Sequence, residues 1–248
     1  MFDRPHRRHR FMSSKPIDKP YLFVKHSQNW NVDRCTRWME RQGHAINWCY
    51  PVEGDVFPDP RECAGVIVFG GANSANDCRD HEWVRREMDF IERCLKEDLP
   101  FFGICLGAQI LARVLGASVG PHDDAATEIG FLEVRPVASQ NRFLERPLTV
   151  MQWHAEGFDL PAGTARLAES DLFPNQAYAL GEKVIGVQFH PEVNPEVLAI
   201  WHTRNKETRP EQFTDVDRAV MMRDAIAHDA VISDWLDGTL QRWRDCTA

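Results

Sequence analysis

Three short segments of the chain carry side chains that could do chemistry together. The first is Gly103-Ile104-Cys105-Leu106-Gly107-Ala108-Gln109. Phe101 to Cys105 is an apolar run that reads as a strand, and Leu106 to Leu115 reads as a helix ended by Gly116. Cys105 therefore falls on the turn between them, with a glycine two residues to either side. A Gly-x-nucleophile-x-Gly turn pushes its central side chain out of the backbone. The glycines are needed because so sharp a bend leaves no room for a Cβ. At a helix start the aligned peptide dipoles stabilise negative charge on the sulfur. The N–H of Leu106 is free there to donate to the oxyanion that forms when a thiolate attacks a carbonyl. Taken alone, the pattern serves equally well for a small buried cysteine between two turn glycines.

The second segment is Gly186-Val187-Gln188-Phe189-His190-Pro191-Glu192. Val184 to Phe189 has the composition of a strand buried on both faces. It delivers His190 at its C-terminal end, where ligands sit in open parallel sheets. Attack by a thiol needs a base within hydrogen-bond reach and a carboxylate on the imidazole's other nitrogen. A His-x-Glu spacing supplies both. The third segment, Gly70-Gly71-Ala72-Asn73, follows the apolar run Ala64 to Phe69, and its N–H groups could complete an oxyanion site with Leu106. Each signal is weak by itself, but together they outweigh the core-cysteine reading.

The elements that must bring these segments together follow from periodicity. Tyr21 to Lys25 reads as a strand, 32–42 as a helix ending at Gly43, and 44–49 as a second strand. The stretch 81–97 is helical, with Val84, Met88, Ile91 and Leu95 on one face and charges on the other. The order β-α-β-β-α-β-α predicts an open, mostly parallel, flavodoxin-like α/β sheet with helices on both faces. Glu128–Val137, Leu148–Trp153, Ala165–Ser170 and Ala177–Leu180 read as short strands, a small antiparallel excursion in the middle. The last 50 residues read as helical, with Ile232, Trp235, Leu236, Leu240 and Trp243 on a stripe expected to dock on the sheet. One domain is expected over 20–248, preceded by a flexible basic tail over 1–19.

Charge narrows the function classes. Residues 1–20 hold six basic side chains against Asp3 and Asp18, a local balance of +4, so the −8 of the whole chain leaves −12 for the rest. An acidic body argues against nucleic-acid binding. No run reaches the ~18–20 apolar residues of a membrane span. Seven cysteines without a Cys-x-x-Cys do not make a disulfide framework, and the cytoplasm is the expected location. His6 and His9 read as part of the loose tail, and the six other cysteines as ordinary buried or half-buried thiols.

The paired Gly-Ile-Cys-Leu-Gly-Ala-Gln and Gly-Val-Gln-Phe-His-Pro-Glu motifs resemble the class I, triad-type glutamine amidotransferases. The likeness spans most of 64–192. Within that family the chain looks most like the stand-alone GMP synthase-like proteins, through Glu128-Ile129-Gly130, Trp153-His154, Leu160-Pro161 and Asn175-Gln176-Ala177. The resemblance implies Cys105 as nucleophile, His190 as base and Glu192 as its orienting carboxylate. It also implies oxyanion N–H groups from Gly71 and Leu106, and substrate contacts from Gln109 and from the backbone near Trp153 and His154. The expected substrate is glutamine or another γ-glutamyl compound, with no metal and no organic cofactor. Two departures stand out. Gly70-Gly71-Ala72 replaces the Gly-Gly-Pro of many members, and Trp153 replaces a small residue, reshaping the pocket around the substrate's α-amino and carboxylate groups. About 56 residues follow Glu192, and no Walker-type phosphate loop appears. Ammonia would thus go to a separate synthetase subunit, unless the chain is a γ-glutamyl peptidase acting for its own sake. A third alternative is a non-catalytic regulatory module of the same fold.

Overall fold

A computed structural model describes residues 19–27, 31–137 and 142–246. The basic stretch 1–18, on which the expected tail falls, lies outside them.

The parallel half of the sheet is built from β1 (Tyr21–Val24), β2 (Ile46–Cys49), β3 (Gly65–Val68), β4 (Phe101–Ile104) and β11 (Val184–Val187). Their order is β2-β1-β3-β4-β11, and each neighbouring pair is parallel. Successive side chains in a strand point to opposite faces, so the apolar runs feed two cores. Tyr21, Phe23, Ile67 and Phe102 pack on one side; Leu22, Val24, Val66, Val68 and Phe101 pack on the other. The first side is covered by α1 (Arg34–Arg41), α4 (Pro195–Thr208) and α5 (Asp215–Asp245), the second by α2 (Glu82–Lys96) and α3 (Leu106–Val114).

The middle segment extends the same sheet. β10 (Ala177–Leu180), β9 (Ala165–Glu169), β6 (Glu128–Pro136) and β7 (Leu148–His154) follow β11 in that order, all antiparallel to their neighbours. The sequence reading missed the pair β5 (Val119–Pro121) and β8 (Glu156–Phe158), a separate two-stranded sheet. Three residues with Gly120 and Pro121 among them give no alternation to detect.

The α5 stripe docks as expected. Ile232, Leu236, Leu240 and Trp243 are buried, and the Trp243 indole donates to the Lys183 carbonyl at 2.9 Å. On α2 the outcome differs: Met88 and Leu95 are half-buried, while Glu87 lies fully inside with Trp83, Phe90 and Cys94. Among the described residues no helix is long and apolar enough to cross a membrane.

Candidate active site

The C-terminal ends of β3, β4 and β11, three adjacent central strands, converge on Cys105. At that residue the chain turns from β4 into α3 with φ 48° and ψ −106°, a backbone conformation costly for any residue with a Cβ. The strain is held from both sides. The Cys105 N–H donates to Val187 at 2.8 Å, and its carbonyl accepts from the Gln109 N–H at 2.9 Å. The flanking glycines are there for space: a Cβ on Gly103 would lie 2.8 Å from backbone atoms of Gly107 and Ala108, and one on Gly107 would lie 2.3 Å from the Val68 carbonyl oxygen.

His190 follows β11 and is nearly buried. Its Nδ1 lies 2.8 Å from Glu192 Oε1, and its ring borders the Cys105 side chain, both lying within 3.4 Å of the point that a Cβ on Gly70 would occupy. Burial by itself would lower the imidazole's pKa. The charges of Glu192 and Cys105 reverse this and raise it to about 10. The arrangement can therefore keep a proton on the imidazole beside the thiol, away from bulk water.

Gly71 is exposed beside this cluster and Leu106 is buried at the first position of α3. The position of a Cβ on Gly70 would fall 2.7 Å from His190 Cε1 and 3.4 Å from Cys105 Cβ, so the β3 loop lies directly against both. Gln109 is brought close too: its amide donates to the Glu156 carbonyl at 2.9 Å and to Gln188 Oε1 at 3.2 Å. Trp153 reaches the site indirectly. It meets Trp201 of α4 edge-on at 5.5 Å and Phe213 at 5.3 Å, and Trp201 in turn stands edge-on to the His190 ring at 5.1 Å. The His154 ring is committed elsewhere, with Nδ1 3.0 Å from the Glu156 carbonyl and Nε2 3.1 Å from buried Glu128. Its ring nitrogens are therefore already engaged within the protein.

Two neighbours escaped the sequence reading. Gln188, inside the second motif, donates to Cys105 Sγ at 3.6 Å; its place two residues before the histidine, on the same strand face, was a usable signal. Arg34 brackets the turn that carries Glu192. Its backbone N–H donates to the Glu192 carbonyl at 2.9 Å, and its guanidinium donates to the carbonyls of Pro191 and Val193 and to Asp229. Nothing local in the sequence marks it, because these partners lie more than 150 residues away.

The mostly parallel sheet with helices on both faces and a helical C-terminus is the flavodoxin-like fold of class-I glutamine amidotransferases. The class-I glutamine amidotransferase family model matches residues 24–206, so the chain belongs to that family. The glutamine amidotransferase-like protein YfeJ of Salmonella typhimurium is 29% identical over 188 residues, 71% of this chain and 77% of the relative. Gamma-glutamyl peptidase 5 of Arabidopsis thaliana is 26% identical over 183 residues, 68% of this chain and 71% of the relative. A GMP synthase of Vibrio cholerae is 31% identical over 153 residues, 60% of this chain; the match spans only 26% of that enzyme. Among solved structures, a glutamine amidotransferase of Thermotoga maritima superposes with a TM-score of 0.84 at 29% identity, covering 91% of this chain and 97% of that one.

Proposed function

We propose that this protein hydrolyses the γ-amide of glutamine through a thioester on Cys105. The sulfur attacks the γ-carbonyl, and the N–H groups of Gly71 and Leu106 receive the oxyanion. His190 gives its proton to the departing nitrogen, the C–N bond breaks, and ammonia leaves. Water then attacks the γ-glutamyl thioester while His190 takes its proton. Glutamate departs and the sulfur is restored. Glu192 keeps the imidazole oriented through both steps, neither of which calls for a metal or an organic cofactor. Gln109, Trp153 and His154 border the glutamyl group.

The observation that carries this reading is the position of His190, beside the Cys105 side chain on one side and 2.8 Å from Glu192 on the other. Residues 20–248 would act as one domain in the cytoplasm, passing ammonia to a separate synthetase subunit. The likeness to one part of GMP synthase supports that division of labour.

A second reading, γ-glutamyl peptidase, is favoured by the half-buried aromatic cluster of Trp153, Trp201 and Phe213 at the edge of His190. It would border an amine larger than ammonia, and one relative bears that name. Glutamate release from glutamine and from a panel of γ-glutamyl amides tests both, with Cys105→Ala as control. Turnover of glutamine that vanishes in the variant supports the first reading. Turnover of substituted amides alone supports the second. No release from any substrate, with no acyl group on Cys105 by mass spectrometry, refutes both.

A further inference from the structure

The loop that offers Gly71 is gripped from behind by a pair that the reaction does not use. His26, just past the end of β1, has side-chain exposure of 3%, and Glu87 of α2 has 0%. The imidazole Nδ1 lies 3.1 Å from the Gly70 carbonyl oxygen and Nε2 lies 3.0 Å from Glu87 Oε2. The Gly70 carbonyl can only accept, so Nδ1 carries a proton; facing an ionised Glu87, the ring donates from Nε2 as well, as a buried imidazolium. Burial opposes that charge, but Glu87 and the Gly70 carbonyl outweigh it and raise the His26 pKa. Trp83 covers the ring at 5.1 Å. A buried charge pair inside an otherwise apolar helix face costs desolvation, and a structural helix contact would be made more cheaply with a leucine.

Geometry gives the pair a purpose. The Gly70–Gly71 peptide is planar and trans, so its C=O and N–H point in opposite directions. Holding the carbonyl on the His26 side aims the Gly71 N–H away from His26. The loop itself is wedged between the two sides. A Cβ on Gly71 would lie 2.7 Å from Leu106 Cδ2 and 3.0 Å from His26 Cγ, and one on Gly70 would lie 2.7 Å from His190. Without the His26 bond, two successive glycines have the freedom to turn this peptide over. We infer that His26 and Glu87 are positioning residues, which hold the Gly70 carbonyl so that the Gly71 N–H stays aimed at the oxyanion. The inference rests on the Cys105 reading above and adds what fixes the oxyanion donor.

The test uses the full chain with three readouts. Loss of one oxyanion donor costs about 10²–10³ in kcat, so His26→Leu, which frees the donor rather than deleting it, should lower kcat by up to about 10²-fold with KM little changed. His26→Asn keeps a donor near the Nδ1 position and should recover most of the loss. Alkylation of Cys105 by iodoacetamide needs no oxyanion hole, so its rate should be unchanged in both variants. The crystal structure of His26→Leu should show the Gly70–Gly71 peptide turned. Wild-type kcat in His26→Leu, alkylation slowed in parallel with turnover, or no rescue by asparagine would each overturn the inference. If the wild type turns over no γ-glutamyl amide, the Cys105 reading fails. The peptide's orientation in His26→Leu then decides this inference alone, and an unturned peptide overturns it.

Discussion

Replacing Gly107 by alanine isolates what the turn at Cys105 demands. Helix propensity alone would favour alanine by about 1 kcal/mol. Against this, the new Cβ would stand 2.3 Å from the Val68 carbonyl oxygen and 2.9 Å from Val68 C and Cβ. A carbon–oxygen contact settles near ~3.3 Å, so about 1 Å must be found. Val68 cannot yield it, because β3 is paired on both sides, with β1 and β4. The first turn of α3 must therefore lift off the sheet. Overpacking of this kind costs about 1–3 kcal/mol, which exceeds the propensity gain over most of its range, leaves a net loss of up to about 2 kcal/mol, and predicts a urea midpoint lower by up to about 1 M. The same displacement carries Cys105 and the Leu106 N–H with it, and a misplacement of about 1 Å can cost on the order of 10²-fold in rate. Urea denaturation and γ-glutamyl hydrolysis should be measured together, with Gly120→Ala as the control, since a Cβ there meets nothing within 4 Å. A Gly107→Ala protein with both the midpoint and the turnover of the wild type would refute the reasoning.

Glu192→Gln should lower kcat by about 10²–10⁴-fold by loosening the imidazole's orientation. It should also move the alkaline limit of activity to lower pH, because Glu192 helps raise the His190 pKa to about 10. A pH–rate profile checks this, and an unshifted alkaline limb would contradict it. The sign for stability follows from the same shift. A raised histidine pKa stabilises the fold fully below the unfolded value of about 6.5, and the contribution is lost as pH rises through about 10. Wild-type stability should therefore decline across that alkaline window more steeply than that of His190→Gln. Lys25→Met should cost about 3–5 kcal/mol in chemical denaturation, because it strands the buried Asp33 carboxylate, now 2.8 Å from the ammonium. Adding Asp33→Asn, which keeps the cap on the Thr36 N–H, should recover part of that loss, and a cost under about 1 kcal/mol would count against the pairing.

What the sequence revealed depended on whether a residue's partners were close along the chain. Cys105 with its two glycines, and His190 with Glu192, sit within a few positions of each other, so motif and strand pattern were enough. The parallel strands were legible because burial on both faces leaves continuous apolar runs. Glu87 was misplaced among the solvent-facing charges of α2 because its partner His26 lies 61 residues earlier. Periodicity cannot distinguish a buried, paired carboxylate from an exposed one. Arg34 was invisible for the same reason. Gln109 and Gln188 stood in view within the motifs, yet their mutual hydrogen bond and the contact to Cys105 arise only when β4 and β11 lie side by side.

That adjacency bears on how the protein is made. Gln188 follows Cys105 by 83 residues, which a ribosome adds in roughly 4–17 s at cellular rates. During that interval β4 can pair with β3 while its other edge, Phe101 to Ile104, waits uncovered, an apolar rim open to sticking. The thiol has emerged by then, but its imidazole and its amide neighbour have not. On the proposed mechanism, chemistry at Cys105 is thus withheld from the nascent chain until the strand beside it is laid down, and a stall in translation before β11 would leave an aggregation-prone half-sheet.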